Sequence, residues 1–334
     1  MNANQQTISE TQVVARGAFI NLMGNLGKLS HFVFDIIATR VLGQAVFGYF
    51  STTWLIMNLA FIVCYFGAHR LVIDFVVKSR TDNDDEYYKG IAAYVYLSFM
   101  MSAFLVLFMH FFAGDIARWL DKPPLEEYLK IMSWSAPFYC LTTILLTATR
   151  GLKFMKFWVF VRNGAEPFLD LTFLCIIFFS FSVMAAPFYA KALGFTGGCV
   201  VSLYFFNKFF SFKKIFRFWP SFNIWKRVVS FGLPVMFADF LSIVILKVDV
   251  IVLSILAPAS QVAVFQIILN IANTMRNIPQ AIDPIMMPVV VEMRQKQNYE
   301  ALEKIYATII HISFFLSTGF FVLNVLFGHL LLNI

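Results

Sequence analysis

The sequence predicts an all-α polytopic membrane protein of about nine transmembrane helices, with a six-helix N-terminal lobe and an incomplete second lobe. Three observations carry that reading. Of 334 residues, 60% are hydrophobic and 13% charged, against about 45–50% and about 25% in soluble domains. Apolar residues recur in runs of about 20, the length of helix that crosses a bilayer. Lysine and arginine gather in alternate connections, as cytoplasmic loops do. With 41 phenylalanines and a mean hydropathy of +0.74, too little polar surface remains to cover a water-soluble globule. That composition argues against a soluble enzyme. The net charge of +7 therefore has to be placed relative to a membrane before it is read as affinity for nucleic acid.

Residues 1–14 are polar and lack the order of a cleaved signal peptide, so they read as a disordered N terminus. Spans follow near 15–40, 46–77, 90–113, 129–149, 157–181 and 184–208, forming the first lobe over 15–208. The fifth and sixth are divided only by a very short turn at Ser180, Ser182 and Ala185-Ala186-Pro187. A basic linker occupies 209–227, and 228–334 holds three more spans near 228–256, 261–290 and 303–329. Basic residues mark one set of connections: Lys78, Arg80 and Lys89, then Arg150, Lys153 and Lys156, then the linker, then Arg294, Lys296 and Lys304. The other set is poor in them, which predicts a cytoplasmic N terminus. Val46-Phe47-Gly48-Tyr49-Phe50 and Gln261-Val262-Ala263-Val264-Phe265 match weakly at an offset of 215, as in transporters built from two related bundles. A second lobe equal to the first would reach roughly residue 420, so the chain reads as either a truncated product or a short divergent form.

No extramembrane segment is long enough for a catalytic or nucleotide-binding domain, and no Walker-type loop, dinucleotide fingerprint or zinc-protease spacing occurs. No residue is assigned a catalytic or metal-binding role, no cofactor is expected, and an ion gradient, Na+ or H+, is one energy source. The cysteines Cys64, Cys140, Cys175 and Cys199 lie in separate apolar runs and read as packing residues.

Polar side chains inside spans carry the functional signal, since they face a bundle interior, a partner or water. In the first span Asn21, Asn25, Lys28, Asp35 and Thr39 share a narrow sector. In the eighth, Gln266, Asn270, Asn273, Asn277 and Gln280 advance by 4, 3, 4 and 3, with Arg276 and Asp283 at the edge. A single amide would be read as a bond between helices; five in register with a cation point to a hydrated cavity. Cations there favour anionic cargo such as a pyrophosphate-linked lipid, because guanidinium grips phosphate with two parallel hydrogen bonds. The substrate-binding candidates are Asn25, Lys28, Arg70, Asn270, Asn273, Arg276 and Asn277, and the ion-coupling candidates are Asp35 and Asp249. Arg70 and Asp74 are four apart, so an intrahelical pair competes with a cargo role. Asp239, Ser242 and Asp249 share one face of the seventh span, and Arg162, Asn163, Glu166 and Asp170 share one of the fifth, as a solvated mouth or an ion pair. Lys191 has no obvious partner. Histidines 31, 69, 110, 311 and 329 are scattered and are given no role, and Pro234 and Pro279 are expected to permit bending.

The segments Gly17-Ala18-Phe19-Ile20-Asn21-Leu22-Met23-Gly24, Ala38-Thr39-Arg40-Val41-Leu42-Gly43 and Phe47-Gly48-Tyr49-Phe50 resemble the opening of oligosaccharide flippases. Phe231-Gly232-Leu233-Pro234, Val248-Asp249-Val250-Ile251-Val252-Leu253 and Ile285-Met286-Met287-Pro288 continue the likeness. Together they are similar to the Wzx-type branch of the multidrug, oligosaccharidyl-lipid and polysaccharide exporter superfamily, with Ala263 where that family usually has glycine. The resemblance implies two six-helix lobes around a central cavity and alternating access in the bacterial inner membrane. It further implies movement of an undecaprenyl-pyrophosphate-linked oligosaccharide, an O-antigen, capsule or exopolysaccharide unit, without bond breaking. Implied partners are the lipid-linked oligosaccharide, membrane lipid, and polysaccharide polymerase and chain-length machinery, with no nucleic acid. The alternative is an ion-coupled exporter of small drugs or metabolites. A membrane-embedded polymerase or ligase would need a larger outward loop than this chain offers, and a nonfunctional fragment is the remaining option.

Overall fold

A computed structural model describes residues 30–273 apart from 32, 80–83, 153, 182–183 and 271, with isolated helical positions between 307 and 326. Chain contacts divide the protein into two compact units, 26–266 and 1–25 with 267–334. The described residues lie almost wholly in the first, and no strand occurs among them.

The first helix, α1, is described over 30–42, and α2 (Gln44–Tyr65) and α3 (Ala68–Ser79) follow. Next come α4 (Asp84–Trp119), α5 (Leu125–Ser133) and α6 (Ala136–Gly151). Then α7 (Met155–Phe160) runs through a π-helical turn, Val161–Ala165, into α8 (Glu166–Phe181), and α9 (Ala186–Asn207) returns alongside. After the short α10 (Phe212–Arg217) come α11 (Phe222–Leu246), α12 (Val248–Leu256) and α13 (Ala259–Asn270). Four stretches are long and apolar enough to cross a membrane: Gln44–Val77, Tyr88–Trp119, Met155–Ser180 and Phe222–Leu246. The pair α5 and α6 makes a fifth if its 43° bend belongs to one span. With no water in the hydrocarbon to accept or donate hydrogen bonds, helices that satisfy their own backbone are the stable solution for such a sequence.

Of the short turn expected at Ser180, Ser182 and Ala185-Ala186-Pro187, the part at 184–185 is present, while 182–183 lie outside the described residues. Ala186-Pro187 open α9, where the missing proline N–H costs nothing, and α8 and α9 pack as a hairpin. Three spans expected to be continuous are interrupted, and that near 129–149 divides between α5 and α6 at the 43° bend. The span read as continuous over 46–77 breaks at Phe66 and Gly67, both left-handed (φ 48° and 71°). The Phe66 N–H bonds the Ile62 carbonyl at 3.2 Å and closes α2; an apolar run gives no warning of such a break. The span 228–256 likewise breaks at Lys247 rather than at Pro234, which sits inside a continuous α11. Pro279 lies outside the described residues.

Buried apolar side chains of α3, α4, α6 and α9, among them Phe75, Tyr94, Leu145 and Phe206, form the main core, joined by Ile215 of α10 and Val228 of α11. Cys64, Cys140 and Cys199 are buried and Cys175 half-buried, all as free thiols. The helices α2 and α3 run antiparallel to α11 and α12 along their full length. Asp74 meets Arg227 at the end nearest α10, Gly67 meets Val235 and Gly232 midway, and Thr52 meets Ser254 at the far end. Beyond it, a Cβ on Gly48 would fall on the Ala259 carbonyl, so the two backbones touch there.

Candidate functional site

Along the seam between α3 and α11 the polar groups of two helices meet. The break at Phe66-Gly67 restarts the chain as α3, which puts His69 and Arg70 in its first turn, one turn before Asp74. Arg70 Nη2 lies 3.5 Å from Asp239 Oδ1, and His69 Nδ1 lies 3.6 Å from Asp239 Oδ2. Arg70 Nε also donates to His69 Nε2 at 3.3 Å. The Arg70 side chain is 56% exposed and that of Asp239 16%. Asp74 instead accepts from Arg227 Nη2 at 2.6 Å, with the guanidinium 4.9 Å over the Phe75 ring. The intrahelical Arg70–Asp74 pair read from the spacing of four is therefore replaced by two pairs between helices. The antiparallel packing supplies each with a better-placed partner than its own helix offers. His69, given no role from sequence, belongs to this cluster, and its ring stands edge-on to Tyr65 at 5.7 Å.

A second polar network is sealed inside the bundle. Asp170 of α8 is fully buried and accepts from Lys191 Nζ at 2.6 Å, so the lysine without an evident partner has one across the hairpin. Gly194 lets them meet, since a Cβ there would collide with the Asp170 carboxylate. Lys191 Nζ also sits 5.1 Å over Trp54 and 5.0 Å over Phe195, which offsets part of its lost hydration. Arg162, in the π-helical turn, donates to both Glu166 oxygens at 3.1 and 3.0 Å, to the Tyr139 carbonyl at 3.2 Å and to Thr143 Oγ1. Of the two readings open for this face, the ion pair holds and the solvated mouth does not, because Glu166 and Asp170 are buried.

The other positions fall as follows. Asp35 is half-buried on α1, its backbone carbonyl accepting from Thr39 Oγ1 at 2.7 Å. Asp249 is exposed in the first turn of α12, where Oδ1 accepts the Val250 N–H at 2.8 Å. It sits beyond the break at Lys247, on a different helix from Asp239 and Ser242, which corrects the single face expected for the three. Asn270 and Asn273 are half-buried on and just beyond α13. Asn25, Lys28, Arg276 and Asn277 lie outside the described residues.

At the far end, Lys122, in the turn between α4 and α5, reaches α12. Its Nζ donates to the carbonyls of Ser254 at 2.6 Å and Ala257 at 2.9 Å, capping that helix with a cation. Burial pushes the ammonium below the ordinary lysine value, which neighbouring Asp121 opposes in part. Lys122→Met is expected to cost about 1–3 kcal/mol by stripping two carbonyls of a charged donor. Thermal unfolding in detergent reads this, and an unchanged midpoint would remove the cap from the account.

A bundle of long apolar helices, with charge gathered between helices and inside them, describes a multi-pass membrane protein. The fold matches a solved structure described as an inward-facing conformation of a multidrug resistance MATE family transporter of the MOP superfamily. The match has a TM-score of 0.67 and 17% identity, covering 93% of this chain and 74% of the other. The family described as "Polysaccharide biosynthesis protein" matches over residues 14–294, and the chain belongs to it. No curated protein matches the sequence. The chain is thus a multi-pass membrane protein of a polysaccharide biosynthesis family, with a fold like that of the MATE transporter.

Proposed function

We propose that the chain flips an undecaprenyl-pyrophosphate-linked oligosaccharide across the bacterial inner membrane by alternating access, with its N terminus cytoplasmic. The observation that carries this reading is Arg70: a guanidinium more than half exposed, held on one side by a long contact to Asp239. Such a group keeps donors free for a pyrophosphate, which it grips in a bidentate manner. Asn25, Lys28, Asn270, Asn273, Arg276 and Asn277 complete the proposed cationic and amide-lined path. Asp35 and Asp249 are the proposed coupling acids for H+ or Na+, and the polymerase and chain-length machinery are the proposed downstream partners.

The test is the amount of lipid-linked glycan at the cytoplasmic face after deleting the gene, then after restoring this 334-residue chain. Accumulation that the chain corrects is the expected result. No accumulation in the deletion strain overturns the reading and favours the second one, export of small drugs or metabolites, which the multidrug transporter of like fold supports.

A further inference from the structure

Between Lys208 and Arg227 the sequence has six basic residues, Lys208, Lys213, Lys214, Arg217, Lys226 and Arg227, and no acidic one. This connection is not slack. Phe210 and Ile215 are buried in the main core, and Phe218 stacks on Tyr88 of α4 at 5.9 Å. The Ser211 N–H bonds the Tyr88 hydroxyl at 3.1 Å, and the Phe212 N–H bonds Asn207 Oδ1 at 3.0 Å. With its inner face fixed, the segment turns a set face outward. Lys213, Lys214 and Arg217 are exposed there, and none forms an ion pair with an acidic side chain among the described residues. Alongside them stand Phe216, Trp219 and Phe222, exposed by 55%, 74% and 81%.

Lys214 Nζ also lies 5.5 Å over the Tyr88 ring; in water, three exposed large aromatics beside cations without acidic partners make a poor surface. At the edge of a bilayer the same combination is favourable: rings settle at headgroup depth while lysine and arginine meet phosphate. Exposed rings standing beside the cations suit a field of headgroups better than one cargo phosphate. We infer that the 208–227 linker is a binding surface for anionic phospholipid headgroups of the leaflet it faces. Each basic residue near an anionic surface contributes about 1 kcal/mol, so neutralising three corresponds to roughly a hundredfold loss of preference. In the sequence, Asp82, Asp84, Asp85 and Glu86 are flanked by Lys78, Arg80 and Lys89. The inference is independent of which cargo the protein carries.

The test uses the full chain in lipid nanodiscs with Trp219 as sole tryptophan, the other five replaced by phenylalanine. Brominated phosphatidylglycerol and brominated phosphatidylcholine are compared at matched mole fraction. Phosphatidylglycerol is expected to quench Trp219 at a mole fraction roughly a hundredfold lower. That preference should vanish in the K213Q/K214Q/R217Q variant and persist in K213R/K214R. Equal quenching by the two lipids, no quenching by either, or a preference that survives the triple substitution would each overturn the proposal. Should the single-tryptophan chain fail to fold, lipid retained by the unmodified chain and the triple variant is counted by mass spectrometry. Equal retention of anionic lipid would then overturn it.

Discussion

Lys191→Met is expected to lower stability by about 3–5 kcal/mol, because it leaves the Asp170 carboxylate buried without its cation. The thermal midpoint in detergent should fall by roughly 10 °C. Asp170→Leu combined with Lys191→Met removes both charges, and buried pairs replaced by apolar groups of similar volume are often neutral or better. The double variant should therefore recover most of the loss. Equal losses in single and double variants would mean that packing around Trp54 and Phe195, rather than the charge pair, sets the energy of this region.

The second large effect concerns transport. Arg70→Ala is expected to reduce flipping 10- to 100-fold, the equivalent of a charged hydrogen bond worth about 1.5–3 kcal/mol, while membrane insertion and thermal stability stay near those of the parent. Arg70→Lys should fall in between, keeping the charge but not the fork of donors. The decisive variant is the exchange R70D/D239R, which preserves an ion pair across the α3–α11 seam and moves the guanidinium to the other helix. If the exchange restores full flipping, the pair is a brace between helices and Arg70 does not grip cargo.

Much of the architecture was legible in the sequence because the bilayer imposes a length on every apolar run. The spans from the second to the seventh fall on helical segments, although the second, fourth and seventh are each interrupted, and the turn before α9 announced itself through Ala185-Ala186-Pro187. What was not legible depends on shape rather than composition. Phe66 in a left-handed conformation breaks a helix inside an apolar run, while Pro234 leaves α11 unbroken.

At the site, Arg70 was found but its partner was not. Helical spacing sees four residues ahead, to Asp74, whereas Asp239 lies 169 residues away and reaches Arg70 only through antiparallel packing. Lys191 is the instructive miss. Its partner Asp170 lies across the α8–α9 hairpin, packed against Gly194 one helical turn beyond Lys191, a register that the apolar runs do not fix.

The cap that Lys122 places on α12 rests on the main-chain oxygens of Ser254 and Ala257, not on their side chains. A fastening of that kind leaves almost no imprint on one of its two partners. Substitutions at 254 or 257 keep these oxygens in place, so the cap itself puts no demand on the side chains of α12, while it does on the lysine. Covariation between columns of related sequences would pass over the contact entirely. The lysine's part of the joint is thus written in one residue only, and a comparison of side chains alone would assign that lysine to the surface.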